Sequence, residues 1–189
     1  MFYDFLNETN DEALLKKLGF EPIKLSTFVV SAKNVPDFKR IMAKAPAADL
    51  IILNRPDEKV SKVAIDNCSV DAIDGFVNYP LIAKMAERNI ALIVNFNELL
   101  NATYRPKVLY LMQKTVRLAK KYKTPIIIVS GAKNKFELRS ASELIAFAEV
   151  LGLSAGDAKK ALYIHQEKLL EKIKLIKSGK YVRPGVKII

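Results

Sequence analysis

Catalysis needs acids, bases or metal ligands within reach of one another, and this 189-residue chain offers few. It has one histidine, His165 in "ALYIHQEKLL", and one cysteine, Cys68. One of each cannot build a usual zinc site. Nothing near either residue supports a Cys–His dyad. Neither G-x-G-x-x-G nor G-x-x-x-x-G-K-[ST] occurs, so dinucleotide and Walker-type phosphate loops are excluded. Carboxylates remain. Asp4, Asp49, Asp71 and Asp74 lie at or near the ends of apolar runs, where clustered acids can hold Mg2+. Asp4 and Asp74 are the best placed for such a site, although acids in loops are usually solvated.

Basic residues are more prominent. Lys and Arg number 31 against 20 Asp and Glu, a net charge of +11. A field of that sign favours polyanions such as nucleic acid or anionic lipid. The plainer alternative is a soluble, Lys-rich surface. In "PIIIVSGAKNKFELRSASEL", Pro125 to Leu144, a β-branched run stops at Ser130-Gly131. A cationic segment and a helix start follow, with no His, Cys or acid before Glu137. The small residues of this turn allow a close approach, and the charge makes it an anion-facing loop. Other loops leaving strand ends add cations, giving Lys33, Arg55, Arg105, Lys133, Lys135 and Arg139 as the set. Arg139 precedes a helix N-terminus, itself an anion-attracting place. Its alternative role is a buried Arg paired with Glu137 or a backbone carbonyl. A second set, Lys107, Lys114, Arg117 and Lys121, falls on one stripe of a helix over Tyr104–Tyr122, with Tyr110 among them. Such a row can follow a phosphate backbone, or can be the solvent face of an outer helix.

The elements that must carry these residues alternate between strand and helix patterns. Short apolar runs predict strands over Phe2–Leu6, Ile23–Val30, Leu50–Asn54, Ala72–Val77, Ile90–Asn95 and Ile126–Ser130. Helical spacing covers Asp11–Leu18, Pro36–Ala45, Asp57–Asn67 and Pro80–Arg88. The strands are near-continuous apolar runs, which argues for burial on both faces and a parallel sheet. Either an open doubly wound sheet or a small (β/α) barrel fits. In both, loops at strand C-termini gather at one end. After Ser140 the pattern is helical almost to the end. Ser140 with Glu143 and Ser154 with Asp157 fit N-caps, Gly152 fits a C-cap, and Leu169, Leu170, Ile173 and Ile176 point inward from a helix over Gln166–Ile176. The apolar tail "SGKYVRPGVKII" is expected to pack down around an Arg-Pro-Gly turn.

With a single cysteine, no disulfide can form within the chain, and a reducing, intracellular compartment is the simplest reading. The acidic start "MFYDFLNETNDEALL" lacks the basic and apolar regions of a signal peptide. No apolar run reaches the roughly 18 residues of a membrane span. No linker or charge block divides residues 1–189, so a single domain is expected.

"SGAKNKFELRSASELIAFAEVLGLSAGDAKKAL" resembles the Ser-Gly-Ala…Glu-Leu-Arg-Ser block of ribonuclease P protein component 3, an archaeal family with a eukaryotic counterpart. The resemblance continues in "SGKYVRPGVKII" and, backward, in "NRPDEKVSKVAIDNCSVDAIDG". The N-terminal third carries much less of it. It implies a distorted, incomplete TIM-like (β/α) barrel with extra C-terminal helices, related to the polymerase and histidinol phosphatase superfamily. It also implies a non-catalytic subunit that assists a catalytic RNA in removing the 5′ leader of precursor tRNA. Component 2 is the implied protein partner, in a heterodimer or heterotetramer. Precursor tRNA would be met indirectly, and no membrane would be involved. Mg2+ would serve the RNA-based reaction, with no cofactor or metal bound by the chain and a cytoplasmic setting.

The superfamily's enzymes typically open with a His-x-His metal pair, whereas this chain reads Asp4-Phe5-Leu6-Asn7. Independent hydrolysis is therefore not expected. From charge and loop position, the expected RNA contacts are Lys33, Arg55, Arg105, Lys107, Lys133, Lys135 and Arg139, with Lys114, Arg117 and Lys121 as a secondary stripe. The alternatives are a metal-dependent phosphoesterase with a reduced acidic site at Asp4 and Asp74, and an assembly scaffold that hardly touches RNA.

Overall fold

Five apolar runs build the frame: β1 (Thr27–Val30), β2 (Leu50–Asn54), β3 (Ala72–Asp74), β4 (Ala91–Asn95) and β5 (Ile126–Val129). In the computed structural model, which describes residues 2–9, 11–177, 181–183 and 186–187, they form one parallel sheet. Its order is β1-β2-β3-β4-β5, with Ile52 opposite Ala72, Ala72 opposite Ala91 and Leu92 opposite Ile126. Each strand lies beside its neighbour in sequence.

The connecting helices are α2 (Val35–Ala43), α3 (Glu58–Asp66), α4 (Tyr79–Arg88), α5 (Phe96–Leu100) and α6 (Arg105–Tyr122). A short α1 (Glu12–Lys17) precedes the sheet, and α7 (Ala141–Val150), α8 (Ala155–Leu162) and α9 (Ile164–Lys177) follow it. Polar caps start most of them where orphan N–H groups need acceptors, although α6, opened at Tyr104, has no side-chain cap. Asn34 Oδ1 accepts from Asp37 N at 2.9 Å, and Asp57 Oδ1 from Val60 N at 2.7 Å. Ser140 and Glu143 form a reciprocal capping box.

Strand side chains alternate between two apolar layers. Leu53, Ile73, Leu92, Val94 and Ile128 face Phe38, Val60, Ile82, Met85, Val116 and Leu144 of the helices. Leu50, Ile52, Ala72, Ala91, Ile93, Ile127 and Val129 face the other way, against Phe5 and Leu169, Leu170 and Ile173 of α9. Thus α9 covers the inner face near the strands' starts. It is tied there by Lys172 Nζ to Asp71 at 2.7 Å and by Gln166 Nε2 donating to Ile128 O at 3.1 Å. His165, one residue before Gln166, is half-buried, with Nδ1 2.7 Å from Ile126 O.

Several sequence expectations shift. Phe2–Leu6 is no strand; its bridging is an isolated parallel contact of Phe2 with Phe20, because Asp4 turns inward to Ser130. Strand pairing begins at Thr27 rather than Ile23, and β3 stops at Asp74, where Gly75 turns with φ 137°. Helix α5 follows β4 without a break. The final helical third is interrupted at Tyr163, whose φ of −132° and ψ of −71° separate α8 from α9. A small antiparallel pair joins Tyr181–Arg183 to Val186–Lys187. The Ser178–Lys180 and Pro184-Gly185 parts of the tail lie outside the described residues, as does the Ile176 side chain. No helix among the described residues is long and apolar enough to cross a membrane.

Candidate nucleic-acid interface

The inner face changes character at the strands' C-terminal ends. Two residues beyond the last inward apolar side chain come Asn54 after Ile52, Asp74 after Ala72, Asn95 after Ile93 and Gly131 after Val129. The period of two therefore aims a polar ring into the mouth of the sheet. Two adjoining depressions of about 880 and 780 Å3 open there, sharing Asn54, Asp74, Asn95, Gly131 and Lys133.

Asp4 and Asp74 at the floor of the mouth are buried and Glu98 beside them is paired, whereas Glu8 and Glu12, which line the first depression, are exposed. Asp4 Oδ1 accepts from Ser130 N at 3.0 Å, and its Oδ2 accepts from the Ser130 hydroxyl. Burial pushes the Asp4 carboxyl up from its ordinary value, and the Ser130 bonds oppose that shift. Asp74 Oδ2 accepts from Asn95 Nδ2 at 3.2 Å, while its Oδ1 has no partner among the described residues. Burial raises Asp74 as well, against the pull of Asn95 and the Arg55 charge. Glu98 pairs with Arg55 Nη2 at 2.9 Å, and burial raises it too. Asp71 sits at the opposite end of β3, bonded to Ile51 N and Lys172, and Asp49 accepts from Ser26 N. No group of three His, Cys, Asp or Glu side chains among the described residues could hold a metal ion. Asp4 and Asp74 thus reach the same mouth but have separate partners, which gives the phosphoesterase alternative no support.

The Ser130-Gly131 turn is organised around this chemistry rather than around an incoming anion. Gly131 has φ +63°, and a Cβ there would lie 1.9 Å from Asn95 Oδ1. Its close approach is to Asn95 of the same chain. Asn95 Oδ1 in turn accepts from Asn97 N at 3.0 Å, capping α5. Asn97 is buried and passes the network on: its Nδ2 donates to Glu137, which also accepts from Lys133 N at 2.9 Å. This network through Asn95 and Asn97 is absent from the sequence expectations. The signal for it is the Asn that ends both "LIILN" and "ALIVN" in phase with the inner face.

The predicted cations divide into two groups. Lys33, Arg55, Lys133, Lys135 and Arg139 stand on loops at the C-terminal ends of β1, β2 and β5, and Arg105 and Lys107 open α6. All except half-buried Arg139 are exposed. Lys133 lines both depressions, and Arg55 and Lys107 line the second. Arg139 follows the alternative foreseen for it, since its Nη1 donates to Leu138 O at 2.7 Å and Phe136 O at 3.1 Å. Its guanidinium also stacks over Phe96, 5.3 Å from the ring centroid. Exposed Lys114, Arg117 and Lys121 lead away from the mouth along α6. At ~1.5 Å per residue the helix carries Lys121 about 21 Å from Lys107.

Comparison with known proteins fits this architecture. The sequence model of the family described as RNase P subunit p30 matches residues 23–178. Ribonuclease P protein component 3 of Methanosarcina mazei is 29% identical over 150 residues, covering 75% of this chain and 62% of that protein. The protein of the same name from Thermococcus kodakarensis is 26% identical over 169 residues, covering 84% of this chain and 76% of its own length. The chain thus spans less than two thirds of the M. mazei relative. Among solved structures, a chain of an archaeal ribonuclease P bound to mature tRNA, seen by cryo-EM, shares the fold with a TM-score of 0.77 at 20% identity. That likeness covers 100% of this chain and 87% of the other. With its sheet and most of its helices inside the matched region, the chain belongs to the RNase P subunit p30 family.

Proposed function

We propose that this chain is a non-catalytic protein subunit of ribonuclease P that binds the catalytic RNA and assists 5′ maturation of precursor tRNA. One observation carries the reading: the mouth presents exposed cations to solvent while the two acids at its floor, Asp4 and Asp74, are buried. Of the ten candidate cations, Arg55 alone forms an ion pair among the described residues. A phosphate backbone is the complementary partner for such a surface, and its affinity would be strongly salt-dependent. Family membership favours this partner over anionic lipid. Mg2+ belongs, in this reading, to the RNA-based reaction, and component 2 is the protein partner in a heterodimer or heterotetramer in the cytoplasm. The sequential strand order, the crossover helices packed on one face and α9 on the other support an incomplete (β/α) barrel of the polymerase and histidinol phosphatase type.

Reconstitution tests the function: the chain is added to the RNA, with and without component 2, and precursor tRNA cleavage is measured. Lys133→Glu, Lys135→Glu and Arg139→Glu together are expected to weaken RNA binding and flatten its salt dependence by about two phosphate contacts' worth. Processing unchanged by this triple variant would overturn the RNA-contact assignment. Processing that needs the chain while the chain never cross-links to RNA would favour the assembly scaffold.

A further inference from the structure

Phe136 is 81% exposed, the highest value among the large apolar side chains described. Its backbone, by contrast, is fixed. Phe136 N donates to Asn134 Oδ1 at 3.0 Å, and its carbonyl accepts from Arg139 Nη1 at 3.1 Å. The turn is closed by Glu137 N donating to Asn134 O at 3.1 Å and pinned by Glu137 accepting from Lys133 N at 2.9 Å. A rigid loop therefore holds a phenyl ring in water, against the preference of apolar surface for burial. Cations surround it. Lys135 Nζ lies 5.2 Å from the ring centroid, and Lys133 is exposed three residues before it.

We propose that Phe136 is a stacking platform for an unpaired nucleobase of the bound RNA, with Lys133 and Lys135 holding the flanking phosphates. This inference rests on the RNA-binding reading above and adds to it a single-stranded target. Every base has a π face, so a lone exposed ring beside a cationic track binds single strands with little sequence preference. A protein partner fits less well, because lysine is depleted from the cores of protein interfaces. A paired helix fits less well too, since its bases are already stacked on one another.

The chain contains no tryptophan, so Phe136→Trp creates a single fluorescent reporter at the ring. The full chain carrying it is titrated with an unstructured RNA of roughly 12 nucleotides, a duplex of the same length, and transcribed ribonuclease P RNA. Stacking predicts quenching by the single strand and by the ribonuclease P RNA, and much less by the duplex. Phe136→Ala is expected to weaken binding of the single strand roughly 5- to 150-fold while leaving the salt dependence intact. Circular dichroism of both variants should match the parent. RNA binding without quenching overturns the inference, as does Phe136→Ala binding like the parent or losing only a protein partner. Failure of the unsubstituted chain to bind any of the three RNAs overturns the RNA-binding reading itself.

Discussion

Gly131→Ala tests how the mouth is assembled. The added methyl would sit 1.9 Å from Asn95 Oδ1, 2.5 Å from its Cγ and 2.7 Å from its Nδ2. No atom pair tolerates these distances, so the Asn95 amide must swing away. Two costs follow. An alanine at φ +63° loses about 1–2 kcal/mol to the left-handed conformation. Moving the amide takes Asn95 Nδ2 from Asp74 Oδ2, leaving a buried carboxylate without its hydrogen bond, a loss of about 1–3 kcal/mol. Asn97 N adds little, because it keeps its second acceptor, Ser130 O at 3.0 Å. The sum is about 2–5 kcal/mol, a large share of the ~5–15 kcal/mol that hold a domain together.

Urea unfolding measures the loss, and a double-mutant cycle assigns its cause. Asn95→Ala removes the obstructing amide in advance. In that background Gly131→Ala should cost only the conformational part, about 1–2 kcal/mol. The coupling between the two sites is then about 1–3 kcal/mol. Gly131→Ala within about 0.5 kcal/mol of the parent would refute the reasoning, and so would strictly additive losses.

Two further perturbations probe the same network. Asp74 has its carboxyl raised by burial above the ordinary 3.8. Its contribution to stability is fully present below 3.8 and is lost as pH rises through the raised value. The parent should therefore gain stability relative to Asp74→Asn as pH falls from neutrality toward 3.8 in urea titrations. His165, lowered by burial, acts in the opposite sense but is common to both proteins; a pH-independent difference between them would contradict the assignment. Glu137→Ala should lower stability, and amide hydrogen exchange at Lys133 should accelerate as its acceptor disappears. Unchanged exchange there would mean that the loop is held by other bonds.

What could be read without a structure depended on how local its cause was. Leu50–Asn54 is a strand over the expected residues because both its faces are buried, which writes a continuous apolar run. The caps at Ser140 and Ser154 involve partners three residues away, so spacing reveals them. Phe2–Leu6 misleads because its composition suits a strand, whereas Asp4 is drawn inward by Ser130, 126 positions later. Helix α5 was invisible because its cap is the last residue of β4, Asn95, with no turn signal between them. Loop position places Lys33, Arg55, Lys133 and Lys135 at the strands' C-terminal ends, where all four are exposed. It could not predict that Arg139 spends its donors on the carbonyls of its own loop. Nor could it show that Ser130-Gly131 is small and polar in order to seat Asp4 and Asn95.

The two basic groups cannot be one flat surface. The mouth lies at the C-terminal ends of the strands, and α6 starts beside it and runs back along the outer layer. Lys107 belongs to both, lining a depression at the mouth and beginning the stripe of Lys114, Arg117 and Lys121. Over the ~21 Å of that stripe the helix descends the flank. An RNA that meets both groups must therefore turn over the start of α6, where Tyr104 is 65% exposed. A straight duplex can follow the flank or cap the mouth, but cannot do both. Single-stranded or sharply bent RNA can, and a stacking ring at Phe136 on the loop after β5 suits the same kind of strand. Salt titrations of the two charge groups separate the cases. If reversing Lys114, Arg117 and Lys121 changes the salt dependence for ribonuclease P RNA but not for a short single strand, the flank and the mouth hold different segments of one RNA. Equal effects on both RNAs would mean that a single short strand spans the turn.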